Sequence, residues 1–439
     1  MKKINVLSAL DYLILICVIF LTLIGIAFIY SSAIDRDGIL TNTNYIKQII
    51  WGITGLFLMV FFACYDYRKT ERYIKYVFYA ACLVLLYTCF FGKVVKGSRS
   101  WLGIGSFGIQ PSEFCKIIFI MFFACYLNNT ENENPRKRFI ISCGILLVVI
   151  GLLMLQPDLG TSLVFIPIFI FMLIVSGIQT RYIMLVLGVG TFTILFTILP
   201  VWESGIVGHS VAAIKFLTDP KLRLVFTFSM LAIMLIGLLG LYFYRNNKYY
   251  YWISFFAAII LVSLLASKVV GAKLKVFQLK RLIIFLNPEV DPRGAGWNII
   301  QSKIAIGAGG FFGRGFLKGT QSHLSYLPEQ GTDFIFSILC EEWGFLGGAL
   351  VFALYLCLML RMVHIIKTSP NRYGAYITTG ILGMFFFHFV ENIGMVMGLM
   401  PCTGIPLLFL SYGGSSLWTS MICMGIVMSV KYRRFDFSN

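Results

Sequence analysis

Apolar residues run along this chain in long unbroken stretches, without the alternation that a half-buried strand requires. Such stretches lie near 12–31, 45–64, 73–91, 112–127, 139–155, 159–177, 182–200, 224–244, 249–269, 334–360, 374–398 and 404–430. Each approaches the ~20 residues a helix needs to cross the hydrocarbon core, the fourth and fifth being short. The pattern predicts an all-α, polytopic membrane helix bundle of about 12 spans. One long segment, 270–332, is too polar to span and too patterned to be disordered. Within it, residues 276–286 and 297–306 read as two amphipathic helices lying in the interface.

Composition agrees with that reading. Apolar residues make up 59% of the 439 and charged ones 13%, with a mean hydropathy of +0.85. That excludes a soluble enzyme, a disordered tail and a fibrous protein. The eleven cysteines are scattered through apolar runs with no paired spacing, as small buried hydrophobes are. Met-Lys-Lys followed by a long apolar run reads as a first span that stays rather than a cleaved signal.

Charge gives orientation. Lys and Arg total 36 against 19 acidic residues, a net +17 that favours lipid headgroups or phosphates over nucleic acid, because the basic residues are split among short loops. Twelve spans place both ends on one side. With that side inside, 18 basic residues fall in inner segments; nine of the others lie in Lys268–Lys318, a long loop outside the charge rule. The expectation is N-in and C-in, in a cytoplasmic membrane. Lys93, Lys96 and Arg99 then stand on the outer side, as ligands for lipid heads or for a phosphorylated substrate.

The polar islands are the candidate chemistry. Tyr326 to Phe336 carries Pro328, Glu329 and Gly331 in a turn, with Thr332 or Asp333 as the expected cap of the next helix. Asp333 is read as a cap, a general base, or a ligand of a cation that holds a pyrophosphate. Asp333, Ser337 and Glu341 share a helical face, and Glu341 is an intramembrane carboxylate, functional or paired with a buried cation. Gly307 to Gly319, with Arg314 and Lys318, reads as a linker or as backbone N–H groups facing anionic oxygens. Gly97 to Lys116 carries Arg99 and Trp101, with Glu113 and Lys116 at pairing distance; Gln156 to Ser162 carries Asp158 at another helix start. His388 and Glu391 read as structural glue. Residues 411–416 are small enough to unwind the last span. No P-loop, zinc, haem or nucleophile-elbow motif occurs, so no nucleotide or organic cofactor is expected.

Together these islands resemble the SEDS family, named for shape, elongation, division and sporulation. NPEVDPRGAGWNIIQSKIAIGAGGFFGRGFLKGTQSHLSYLPEQGTDFIF (287–336) is similar to its signature; GSRSWLGIGSFGIQPSEFCK (97–116), QPDLGTS (156–162) and NIGMVMGLMPCTGIPLLFLSYGGSS (392–416) resemble its other blocks, in order. IAIGAGG followed by GTQ resembles the elongation (RodA) branch more than the division (FtsW) branch. Members usually have ten spans, so the resemblance divides the chain into 1–200 (spans one to seven), an inserted two-span hairpin at 201–275, an extracytoplasmic loop at 276–332 and the last three spans at 333–439. Gly331 stands where many relatives carry His.

The resemblance implies a peptidoglycan glycosyltransferase polymerising lipid II outside the membrane. Asp333 would be its catalytic base. Arg99, Trp101, Lys116, Gln301, Arg314, Lys318 and Glu329 would meet substrate, with Arg293 a further cation. Glu113, Asp158 and Glu341 would support them. A divalent cation (Mg or Mn) could take part, held by the pyrophosphate and Asp333. The implied partners are a class B penicillin-binding protein and other membrane proteins of the elongation complex. Alternatives are a lipid II flippase and a division or sporulation member.

Overall fold

The computed structural model describes residues 10–434 except 96, 105–106, 245–247, 274–280, 282–283, 286, 289–294 and 325. The first predicted amphipathic helix and Arg293 lie largely or wholly outside the described residues. All twelve apolar stretches are helical: α1 Tyr12–Ser31, α2 Asn44–Cys64, α3 Ile74–Phe91, α4 Pro111–Asn129, α5 Pro135–Leu155, α6 Leu159–Val175, α7 Thr180–Trp202, α8 Pro220–Phe243 and α9 Lys248–Lys273, then, after α10 Ala295–Gly309, α11 Ile335–Thr368, α12 Arg372–Val396 and α13 Gly414–Tyr432. Ten of the described helices are long and apolar enough to cross a membrane; α6, of 17 residues, and α13 are not among them. The last stretch is helical only from Gly414, because 397–413 form turns and extended backbone. The helix expected at 297–306 is α10. An antiparallel sheet, β1 Lys93–Val95, β2 Ser98–Ile104 and β3 Phe107–Ile109, was not foreseen.

Helix starts follow their sequence. Asp11, Asn134, Asp158, Asp219 and Asn371 each precede a helix and accept a backbone N–H of its first turn. Pro111, Pro135 and Pro220 occupy first-turn positions where a missing N–H is harmless.

The chain forms two compact units, Gln179–Ile300 and the remainder. In the first-named unit, α9 packs on α7 and α8 around Phe196, Leu217 and Leu264. Arg223 donates to the Leu264 carbonyl and the Ser267 hydroxyl across its α8–α9 pair.

In the other unit, α4, α12 and α13 are the most enclosed helices. α12 packs on α4, α6 and α11, and α13 packs on α2. One end of this unit is closed by ion pairs. Asp11, before α1, meets Arg361 at 2.7 Å and Lys431 at 2.8 Å, so the two ends of the described chain share that end. Asp66 meets Arg68 and Arg433 at 3.0 and 3.2 Å, and Glu131 meets Arg372. Burial alone would raise the Asp11 carboxyl, but hydrogen bonds and charge from Lys431 and Arg361 outweigh it and hold the group below its usual value; Arg68 and Arg433 do the same for Asp66.

Candidate active site

The opposite end of the same unit gathers the polar islands. α11 begins there and is broken at Gly344, whose φ of 65° and ψ of −157° no helix contains. The break frees carbonyls before it and N–H groups after it. Residues 309–315 fill the gap: Arg314 N and Gly315 N donate to Glu341 O and Glu342 O at 3.0 and 2.9 Å, while Phe345 N and Leu346 N donate to Gly310 O and Phe311 O at 2.9 and 3.2 Å. Gly309 and Gly313 lie so close to α11 that a Cβ would stand 1.9 Å from Cys340 O and 2.1 Å from Glu342 O. The glycine-rich stretch is neither a linker nor an open nest for anionic oxygens. Its N–H groups are used within the protein, and at Leu317, Thr320 and Gln321 they meet the carboxylates of Glu342 and Glu341 at 2.7–3.1 Å.

Among the described residues Glu341 has no cation partner. Its Oε1 accepts from Thr320 N, Thr320 Oγ1 and Gln321 N. Glu342 accepts from the Ser31 hydroxyl, tying the end of α1 to this loop. Arg314 is exposed and donates to Thr320 Oγ1 and Ala308 O; Lys318 is exposed. Gln301 is buried on α10, next to Ser302, which bonds Ser337 Oγ at 2.8 Å and Val396 O at 2.6 Å. Asp333 and Glu341 do not share a helix face, because Asp333 precedes the helix.

Asp333 stands in the turn before α11. The residue capping α11 is Phe334, without a side-chain bond, so neither Thr332 nor Asp333 is the expected cap. Glu329 shapes the turn: its carbonyl accepts from Thr332 N and its carboxylate from Thr332 Oγ1 at 3.0 Å. Gly331 O accepts from Tyr412 N at 2.8 Å, docking the turn on the non-helical 397–413 segment. The Asp333 carboxylate is half-buried and faces Gly404, where an added Cβ would lie 3.6 Å from Oδ2.

The other islands converge on that segment. Gln110 Nε2 donates to Asp158 Oδ2 at 3.0 Å, and Gln110 N to Ser415 Oγ at 3.1 Å. Arg99 N donates to Gln156 O at 3.1 Å, and Trp101 covers Gly108 on the neighbouring strand. Gly160, in the first turn of α6, abuts the Thr403 carbonyl. Thr403 donates to Glu391, and Asn392 Nδ2 to Asp333 O at 3.0 Å and Ile405 O at 2.9 Å. Lys116 Nζ lies 2.8 Å from Glu113 Oε1 and 3.2 Å from His388 Nε2, while His388 Nδ1 donates to Pro406 O at 2.9 Å. Lys116 is 1% exposed, so the ammonium expected to meet phosphate faces protein.

Asp333, Glu113 and Lys116 are thus joined through Asn392, His388 and the 403–406 stretch, and Asp158 through Gln110, with Arg99 and Trp101 on β2 beside them; Glu341 belongs to the repair of α11, Gln301 is buried on α10, and the Arg314 and Lys318 side chains are exposed. Sequence reasoning gave no role to Gln48, Gln110, Asn392 or Thr403. A Gln or Asn in an apolar run was the only signal for Gln48 and Asn392, both fully buried; Gln48 bonds Ser411 O and Gly413 N across α2 and α13. Among the described residues no group of three or more His, Cys, Asp or Glu is placed to hold a metal ion. The described residues of this end supply no all-protein metal cage.

The family model for FtsW, RodA and SpoVE, described as cell cycle proteins, matches residues 11–221 and 224–435. The chain is 47% identical over 432 residues to the peptidoglycan glycosyltransferase RodA of Treponema pallidum (strain Nichols), covering 98% of this chain and 100% of that protein. It is 32% identical to stage V sporulation protein E of Bacillus subtilis (strain 168), covering 97% and 98%. A chain solved in work on how a peptidoglycan synthase complex coordinates polymerization and crosslinking is 24% identical, with a TM-score of 0.66 and coverage of 97% and 98%. Rod shape determining protein RodA of Thermus thermophilus is 22% identical at a TM-score of 0.60, covering 97% of each chain. At these identities the two solved structures establish the fold.

Proposed function

The chain belongs to the FtsW/RodA/SpoVE family, and from that premise we infer that it is a peptidoglycan glycosyltransferase. It is a polytopic protein of the bacterial inner membrane. The observation that carries the choice of residue is the Asp333 carboxylate, half-buried at the end where the polar islands meet. The basic, ion-paired end faces the cytoplasm under the positive-inside rule, and the Asp333 end faces outward.

The substrate is lipid II, a disaccharide-pentapeptide on undecaprenyl pyrophosphate. Asp333 takes the proton of the acceptor 4-hydroxyl as that oxygen bonds to the donor's anomeric carbon. The bond from that carbon to the diphosphate oxygen breaks, and the electron pair leaves with the diphosphate. Asp333 then returns the proton to water. Arg99, Arg314 and Lys318, at the accessible surface, offset the leaving charge, and Trp101 offers a flat apolar face to the sugar. Lys116 acts from within, through His388. A divalent cation would be held by the diphosphate and Asp333, and would supply further positive charge to the leaving group.

Greater identity to a RodA than to a sporulation protein favours elongation duty, with a class B penicillin-binding protein as partner. The test is lipid II polymerisation by purified Asp333→Asn protein with its partner. Removing a general base lowers the rate about 10²- to 10⁴-fold. Polymerisation at the parent rate sinks the assignment, and lipid II translocation in liposomes without polymerisation would favour a flippase.

A further inference from the structure

A carboxylate serves as a base only where its place relative to the acceptor hydroxyl is fixed. Asp333 lies outside the regular part of α11, so that helix does not hold it. The segment opposite it, 397–413, is non-helical as well. Beside the Tyr412–Gly331 backbone bond, one face of α12 fixes the two against each other.

His388, Glu391 and Asn392, at i, i+3 and i+4, project from the last turns of α12. Each takes one residue of a four-residue stretch. Glu391 accepts from the Thr403 hydroxyl, Asn392 donates to Ile405 O, and His388 donates to Pro406 O. Gly404, between the first two, faces the Asp333 carboxylate. Asn392 also crosses to the other side: the same amide nitrogen that holds Ile405 O donates to Asp333 O. One planar group therefore sets the spacing between the main chain of Asp333 and the backbone facing its carboxylate.

We propose that Asn392 is a positioning residue for Asp333, holding the carboxylate at a fixed distance from the 403–406 stretch through its two donated bonds. The proposal rests on the reading of Asp333 as the base. The satisfaction of Asn392 points the same way. Its side chain is fully buried, yet its Oδ1 has no hydrogen-bond partner among the described residues. A half-satisfied amide is a poor packing element in an apolar interior. What it supplies is a rigid pair of donors aimed at two carbonyls. His388 is held in turn: with Nδ1–H on Pro406 O, its Nε2 is the acceptor for Lys116, whose charge Glu113 balances. The Glu113–Lys116 pair thus anchors the far end of the same stretch.

The experiment compares lipid II polymerisation kinetics of the full-length protein with its partner for parent, Asn392→Ala, Gly404→Ala and Asp333→Asn. Asn392→Ala removes both donors. The kcat is expected to fall about 10- to 100-fold with KM within about threefold, because misplacing a reacting group by ~1 Å costs up to 10² in rate while binding persists. In the Asp333→Asn background, Asn392→Ala is expected to lower the residual rate no further, since it acts through the group already removed. Gly404→Ala puts a Cβ on backbone at a φ of 77°, straining the 403–406 stretch from the other side with Asn392 intact; it decides the matter if Asn392→Ala does not fold, and should show the same kcat loss at unchanged KM. Parent kcat in the folded Asn392→Ala protein, or an equal further loss in the Asp333→Asn background, overturns the proposal while leaving Asp333 as the base. Parent kcat in Asp333→Asn overturns the base assignment itself.

Discussion

Substituting Gly309 by Ala tests whether the glycine-rich stretch holds the broken helix together. The added Cβ would stand 1.9 Å from Cys340 O and 2.9 Å from Cys340 C, both backbone atoms that no rotamer change can move. Restoring an ordinary 3.4 Å contact requires the two segments to separate by about 1.5 Å. Four backbone bonds cross this seam at 2.9–3.2 Å: Arg314 and Gly315 to Glu341 and Glu342, and Phe345 and Leu346 to Gly310 and Phe311. A shift of that size breaks or weakens all four. At about 1 kcal/mol net for each, the loss is about 4 kcal/mol. Hydrogen–deuterium exchange reads the seam directly. The amides of Arg314, Gly315, Phe345 and Leu346 should exchange slowly in the parent and about 10²- to 10³-fold faster in Gly309→Ala, with a lower Tm in detergent. Parent-like exchange at all four amides would refute the splice.

The buried Glu113–Lys116 pair makes a second test: Lys116→Met strands a carboxylate that is 4% exposed and should cost about 3–5 kcal/mol, read as a fall in Tm, while Lys116→Met with Glu113→Leu recovers most of it. Equal Tm values for the single and double variants would show that the pair is not the cause. Acid should act at the other end. Asp11 and Asp66 have depressed carboxyl values in the fold, so their contribution is complete above the unfolded value near 3.8 and is lost as pH falls through the folded values. The Tm should be flat from about pH 8 to 5 and drop below about pH 4. In Asp11→Asn with Asp66→Asn that drop should shrink.

Much of the architecture is legible in hydropathy, because a helix is the only unpaired way to carry backbone through hydrocarbon. The apolar runs gave all twelve helices, and Asp158, Pro111 and the Glu113–Lys116 spacing gave three features of the site end. The failures share one cause. The cap assigned to Thr332 or Asp333, the shared face of Asp333 and Glu341, the helical reading of 404–413 and the open glycine nest all assumed regular helix or free loop. The structure has instead a helix broken at Gly344 and a non-helical segment pinned by side chains 12 to 18 residues away in sequence, such as Glu391 on Thr403 and His388 on Pro406. Long-range partners of that kind leave no periodicity to read.

This cause also explains why so many motif residues look catalytic and are not placed to be. Irregular backbone at membrane depth must satisfy its N–H and C=O groups within the protein. Two such irregularities meet here, the break in α11 and the 397–413 segment. The groups that repair them are of the types chemistry uses: Glu341 and Glu342 on N–H groups, Gln48, Asn392 and His388 on carbonyls, Glu391 on a hydroxyl. A sequence pattern cannot separate the two duties, because both need a polar group in an apolar run. Geometry separates them by what each group faces. Glu341 accepts three donors from one loop, and Lys116 has a carboxylate and an imidazole. The Asp333 carboxylate is half-buried and faces Gly404, whose φ of 77° suits glycine. A half-buried carboxylate whose own main chain is held by Asn392 stands at a set position, as the base proposed for an incoming hydroxyl must.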